Sequence, residues 1–107
     1  MDIKQVDELV RFQAERLVKV NLFETPRFFC DLYCLLPGQA QKVHSHAESD
    51  KVYHVLRGEV DATVGAATKR LRAGDTVLAA AGEPHGVTNP TAGEAVLLVF
   101  MAPHPDR

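Results

Sequence analysis

The chain has 107 residues, of which 46% are hydrophobic and 24% charged, and a formal net charge of −2 at pH 7. These values fit one ordinary globular domain and give no electrostatic reason to expect nucleic acid or an anionic membrane as partner. No apolar run approaches the roughly 20 residues of a membrane helix. The N-terminus MDIKQVDE has no signal-peptide core, so a cytoplasmic protein is expected.

Residues 4 to about 16 place Val6, Leu9, Val10 and Phe12 around the early acids Asp7 and Glu8, which predicts an amphipathic helix of two or three turns. Leu17 to Phe23 then alternates, with Val18, Val20 and Leu22 against Lys19 and Asn21, and reads as an edge strand. Thr25-Pro26 punctuates it, Arg27 to Leu36 forms a denser strand, and Pro37-Gly38 turns the chain. Cys30 and Cys34 lie four apart on that strand, a span of roughly 13 Å that no disulfide bridges, so two buried thiols are expected.

Further strands are predicted at Lys51 to Leu56, Glu59 to Val64, Lys69 to Leu71, Thr76 to Ala79, His85 to Thr88 and Ala95 to Met101, separated by Gly- and Pro-marked turns. Many short strands with no helix beyond the first sixteen residues mean an all-β sandwich or barrel. The expected division is 1–25 as N-terminal helix and edge strand, 26–102 as the barrel, and 103–107 as an irregular tail. The edge strand within residues 1–25 could add to a partner's sheet, so that segment is read as a dimer arm and the protein as a homodimer.

Two histidines, His44 and His46, stand two apart in a segment that reads as a strand, whose period of 2 puts both imidazoles on one side. Paired neutral imidazoles are half of a metal site for ions such as Zn, Fe, Ni or Cu. The other half has to come from elsewhere in the chain.

Gly38, His44-Ser45-His46 and Gly58 together resemble the first motif of the cupin superfamily, and Gly74, Gly82-Glu83-Pro84-His85 and Asn89 resemble the second. The two motifs span about half the chain, from residue 38 to 89. The resemblance implies a single-domain jelly-roll β-barrel of the small bacterial type, in agreement with the strand count. It also implies a metal inside the barrel, held by His44, His46 and His85. Where the family has a glutamate ligand, this chain has Lys51, and Ala80 stands where a proline is usual.

An ammonium about 5 Å from a divalent ion held by three neutral imidazoles would be repelled by roughly 6–7 kcal/mol at an effective dielectric of about 20. That is enough to deprotonate a lysine or expel it. Three arrangements follow. The metal is present and Lys51 is swung away, paired with Glu48, Asp50 or Glu59. The metal is present with an anionic ligand between it and Lys51. Or no metal binds, and Lys51 and the histidines form a cationic pocket.

Tyr33 and Tyr53 are expected to bring phenols towards the interior, either as packing or as pocket lining. Gln39 and Gln41 lie near the barrel mouth, as substrate contacts or as solvated turn residues. His54 falls off the Lys51, Tyr53, Val55 face and should point outwards, and His104 should be solvated in the tail. Asp31, on an otherwise apolar strand, is expected at an edge or paired with an arginine such as Arg27 or Arg57.

Three evident protein ligands leave coordination positions open, as catalytic metal sites do. The functional expectation is a metal-dependent enzyme carrying one Fe, Zn, Ni or Mn ion and acting on a small anionic or sugar-like molecule. Dioxygenase chemistry stands ahead of isomerase or epimerase chemistry, with Lys51 steering or clamping the anion and Tyr53, Tyr33 and Gln41 lining the substrate site. The alternative is a non-catalytic ligand-binding or sensor barrel with a Lys51/His pocket and no metal.

Overall fold

The computed structural model describes residues 1–105. After a short helix α1 (Val6–Leu9), nine strands follow: β1 (Val18–Thr25), β2 (Phe28–Leu35), β3 (Ala40–His44), β4 (Asp50–Arg57), β5 (Glu59–Val64), β6 (Ala67–Arg72), β7 (Thr76–Ala79), β8 (His85–Thr88) and β9 (Ala95–Ala102). They build a five-stranded sheet, β1-β2-β9-β4-β7, facing a four-stranded sheet, β3-β8-β5-β6. This is the expected jelly roll. Among the described residues, no helix is long and apolar enough to cross a membrane.

Alternation decides what each sheet presents to the other. On β4, Lys51, Tyr53 and Val55 are buried while Val52, His54 and Leu56 are more exposed. Cross-strand register extends this inner face into rows: Asn21, Asp31, Val99, Tyr53 and Val77 lie side by side, as do Tyr33, Leu97 and Val55. Tyr33, Leu35, Tyr53, Val55, Val60 and Val87 belong to the core between the sheets.

A second cluster lies on the other face of β1, β2 and β9, where Val18, Val20, Leu22, Leu32, Cys34 and Val96 meet Val6, Leu9, Val10 and Phe12. The N-terminal segment is therefore a cover for the outside of the large sheet. Its helix is four residues long rather than the predicted two or three turns. A short segment has too few internal hydrogen bonds to offset helix nucleation, and contact with the sheet sets its path instead. The Gln39 side chain ties that path down, donating to the Gln13 carbonyl at 2.7 Å and accepting from the Leu36 N–H at 2.8 Å.

Strand β1, grouped by sequence with the N-terminal segment, is the outer strand of the large sheet and is registered with β2 from Val18↔Cys34 to Thr25↔Phe28. Cys30 and Cys34 are free thiols, and burial raises the pKa of both. Asp31 finds Asn21 as its partner, at 2.8 Å, instead of an arginine, because the register sets the two opposite each other. His104 is not a solvated tail residue: its Nε2 meets Glu24 Oε1 at 2.6 Å, and its ring stands edge-on to Phe29 at 5.7 Å. At His104 the chain thus folds back against Glu24 of β1 and Phe29 of β2.

Candidate functional site

His44 and His85 are cross-strand partners at the ends of β3 and β8. Between Gln41↔Val87 and His44↔His85 the register slips, so Lys42 and Val43 are both exposed in succession. That bulge restores an inward direction to His44. Gly86 makes the arrangement feasible, since a Cβ there would stand 2.9 Å from the Gln41 carbonyl oxygen and from the Val43 nitrogen. His46 lies beyond the end of β3, in the loop, so strand period is not what aligns it with His44. The loop is held by the Gly82 N–H, which donates to the His46 carbonyl at 2.8 Å and so joins the two motifs.

The three rings converge. Centroids are 5.0 Å apart for His44 and His46, 4.5 Å for His44 and His85, and 5.7 Å for His46 and His85. One ligating nitrogen from each lies within 4.8 Å of the others. The Nδ1 atoms of His44 and His85 lie 2.8 Å and 3.0 Å from the carbonyls of Lys42 and Glu83. A carbonyl can only accept, so each Nδ1 carries a proton, and in the neutral ring Nε2 is the nitrogen that presents a lone pair. His85 Nε2 is buried and has no hydrogen-bond partner.

An orphaned, unprotonated nitrogen is costly unless something binds it. A divalent transition ion fits this donor set by ligand chemistry and tautomer. Burial, with Lys51, His44 and His46 nearby, depresses the His85 pKa to about 4, so its ring is neutral at pH 7.

Beside the histidines stands a second group. Lys51 is 1% exposed, and its ammonium donates to Tyr33 Oη and to Gln41 Oε1, both at 3.3 Å. Gln41 is the hub: its amide donates to Tyr33 Oη at 2.8 Å and its oxygen accepts from Tyr53 at 2.6 Å. The nitrogen of Lys51 also lies over both phenol rings, 5.4 Å from Tyr33 and 5.2 Å from Tyr53. The tyrosine next to the histidines is Tyr53, whose ring is 6.2 Å from His85.

Burial lowers the Lys51 pKa to about 7, with Lys19 pushing the same way and Asp31 opposing. Burial raises both tyrosines, so both stay protonated. Of the three carboxylates weighed as partners for Lys51, Glu48, Asp50 and Glu59, none pairs with it here, its ammonium being bonded to Tyr33 and Gln41. Asp50 instead accepts from the Ala81 N–H, and Glu59 contacts Arg70. The carboxylate whose charge reaches Lys51 is Asp31, from the inner face of β2.

His54 is outside the group, on the other face of β4 against Thr76 Oγ1. Gln39 is part of the fold rather than of the site. Asn89 is likewise structural: fully buried, it donates to the Leu35 and Gly93 carbonyls at 3.0 and 2.8 Å and so fixes the turn before β9. Sequence reading grouped Gln41 with Lys51, Tyr33 and Tyr53, and the structure brings the four together; what it missed was Gln41 as the hydrogen-bonding hub. The only signal for that role was a polar residue one bulge away from the histidine motif.

Comparison with known proteins agrees with this fold. A structure of TT1209 from Thermus thermophilus superposes with a TM-score of 0.95 at 50% identity, covering 98% of this chain and 100% of that one. An RmlC-like cupin protein from Desulfovibrio desulfuricans gives a TM-score of 0.85 at 31% identity, covering 96% and 97%. An uncharacterized protein of Aquifex aeolicus (strain VF5) is 29% identical over 98% of this chain and 87% of its own length. The family model for the cupin domain matches residues 31–101, which contain all three histidines and Lys51. The chain belongs to the cupin domain family.

Proposed function

We propose that the protein is a metal-dependent enzyme that acts on a small anionic or sugar-like molecule, with one divalent transition ion held by His44, His46 and His85. The observation that carries this reading is His85 Nε2, buried, unprotonated and without a hydrogen-bond partner, inside a group whose ligating atoms lie within 4.8 Å of one another. Such an ion would supply Lewis-acid polarisation of a substrate oxygen or, as iron, a place for O2.

The chain's own residues do the rest. Carbonyls of Lys42 and Glu83 fix the tautomers of His44 and His85. Lys51, with a pKa of about 7, holds or releases a proton near neutrality inside the barrel. The Tyr33 hydroxyl accepts from both Gln41 and Lys51, which leaves its own proton to donate to a bound ligand. A carboxylate entering between the ion and Lys51 would be attracted from both sides. Dioxygenase chemistry remains ahead of isomerase chemistry in this reading, and metal identity discriminates between them.

The test is metal content per chain by elemental mass spectrometry, on tag-free protein prepared without chelators, beside His44→Ala. The expected result is near-stoichiometric metal that the variant loses. Iron would direct the next assay to O2 uptake, and zinc, nickel or manganese to isomerisation of sugars and keto acids. No metal after reconstitution would overturn the reading in favour of a metal-free binding barrel, an alternative supported by the buried Lys51 amine beside the histidines.

A homodimer belongs to the same proposal. Among the described residues strand β1 pairs only with β2, which leaves one of its edges for a second copy. Sedimentation of the whole chain at monomer mass would end that part of it.

A further inference from the structure

Strands β1 and β3 are the edges of their respective sheets, and a cleft of about 800 Å³ opens between them under the N-terminal segment. Four cationic side chains line it: Arg11 and Arg16 from the segment, Lys19 from β1 and Lys42 from β3. Among the described residues, no carboxylate does. The chain as a whole carries a net charge of −2, so this concentration of positive charge is a property of the fold and not of composition. Among the described residues, none of the four forms an ion pair, although Arg70, Arg57 and Lys4 elsewhere all do. Lys19 instead lies over the Tyr33 ring, 5.2 Å from its centroid.

The cleft is also connected chemically to the interior. Gln41 lines it, and the same side chain contacts Tyr33, Tyr53 and Lys51. Like charges on three separate elements repel unless an anion lies among them. Two guanidinium forks and two ammonium groups match the oxygens of phosphates or clustered carboxylates.

We propose that this cleft binds a small polyanion, one carrying a phosphate or at least two carboxylates, and that Gln41 is its boundary with the Lys51 group. The inference deepens the preceding reading by naming the substrate class, and rests on it only for the part the cleft takes in a reaction. Binding itself does not require the metal.

The experiment is a backbone amide chemical-shift titration of the full chain, with inorganic phosphate in one arm and succinate in the other, against chloride at matched ionic strength. The expected result is saturable shifts in residues 11–19 and 40–42 with one of the two anions. Stronger binding of phosphate assigns a phosphate ester, and stronger binding of succinate assigns a multiply carboxylated ligand. Arg11→Gln combined with Lys42→Gln, both on exposed side chains, should raise Kd about tenfold, given roughly threefold for each solvent-exposed pair. Lys42→Gln alone, with about threefold, covers the case in which the double variant folds poorly.

Metal content should be the same in these variants, and His44→Ala should keep the anion shifts. Shifts no larger than with chloride, or an unchanged Kd in the charge variants, would overturn the proposal. Shifts confined to the histidine loop and lost in His44→Ala would also overturn it, while leaving the metal reading intact.

Discussion

The two polar groups inside this barrel differ in one respect. The Lys51 group is satisfied from within: the amine, both phenols and the Gln41 amide use one another, with heavy-atom separations of 2.6–3.3 Å. The histidine group is not, because the Nδ1 atoms of His44 and His85 are spent on carbonyls and His85 Nε2 has nothing. A closed network contributes rigidity and specificity, whereas an open one loses free energy until a ligand arrives. The first therefore reads as a preorganised wall that meets a ligand only through the Tyr33 proton and the Lys51 amine, and the second as a receptor.

The strongest way to break this comparison is His85→Ala. If the open nitrogen is a ligand, metal affinity should fall by more than about a hundredfold, read by competition with a chelator, with the fold retained by circular dichroism. Unchanged affinity would remove the receptor role. Next in size is Gln41→Leu, which strips the hub from the closed network and leaves buried hydroxyls unpartnered. A loss of about 2–4 kcal/mol in urea denaturation is expected, and a near-neutral result would show that the network is not closed in solution.

Lys51→Met should act in the opposite direction. A pKa lowered from 10.5 to about 7 corresponds to roughly 4–5 kcal/mol favouring the neutral amine. Part of that is offset by hydrogen bonds the variant loses, leaving it about 1–3 kcal/mol more stable at pH 7. The pH dependence has a definite sign. Below pH 7 both folded and unfolded chains hold the proton, and the burial penalty is complete. Between 7 and 10.5 the unfolded chain binds more protons, so the wild type gains stability as pH rises. Relative to Lys51→Met the gain should be about 1.5 kcal/mol from pH 7 to 8.5, and parallel curves for the two proteins would refute a buried amine. The smallest effect belongs to His54→Ala, which should leave metal content unaltered because His54 is on the far side of β4.

Much of this was legible along the chain. Strands β5, β7 and β8 run where hydrophobic alternation and Gly/Pro punctuation put them. Tyr33 and Tyr53 face inwards because the period of 2 is a local property that any paired strand expresses, and the three motif histidines converge as the resemblance implies, though not through that period. The resemblance to cupins rested on the same local signals, and the family match agrees with it.

Tertiary structure decided the rest. Whether residues 4–16 stayed helical depended on the outer face of a sheet assembled from distant strands. His46 reaches His44 through a loop pinned to Gly82, and His44 turns inwards through a bulge that only the β3–β8 pairing creates. Asp31 finds Asn21, and His104 finds Glu24, through contacts 10 and 80 residues apart in sequence. Above all, sequence named Lys51 as the residue replacing an expected carboxylate but left its direction open. Its burial against Tyr33, Tyr53 and Gln41, and hence its lowered pKa, arise from three strands in two sheets closing around one amine. Desolvation depends on everything that surrounds a group in space, and sequence specifies directly only its neighbours along the chain.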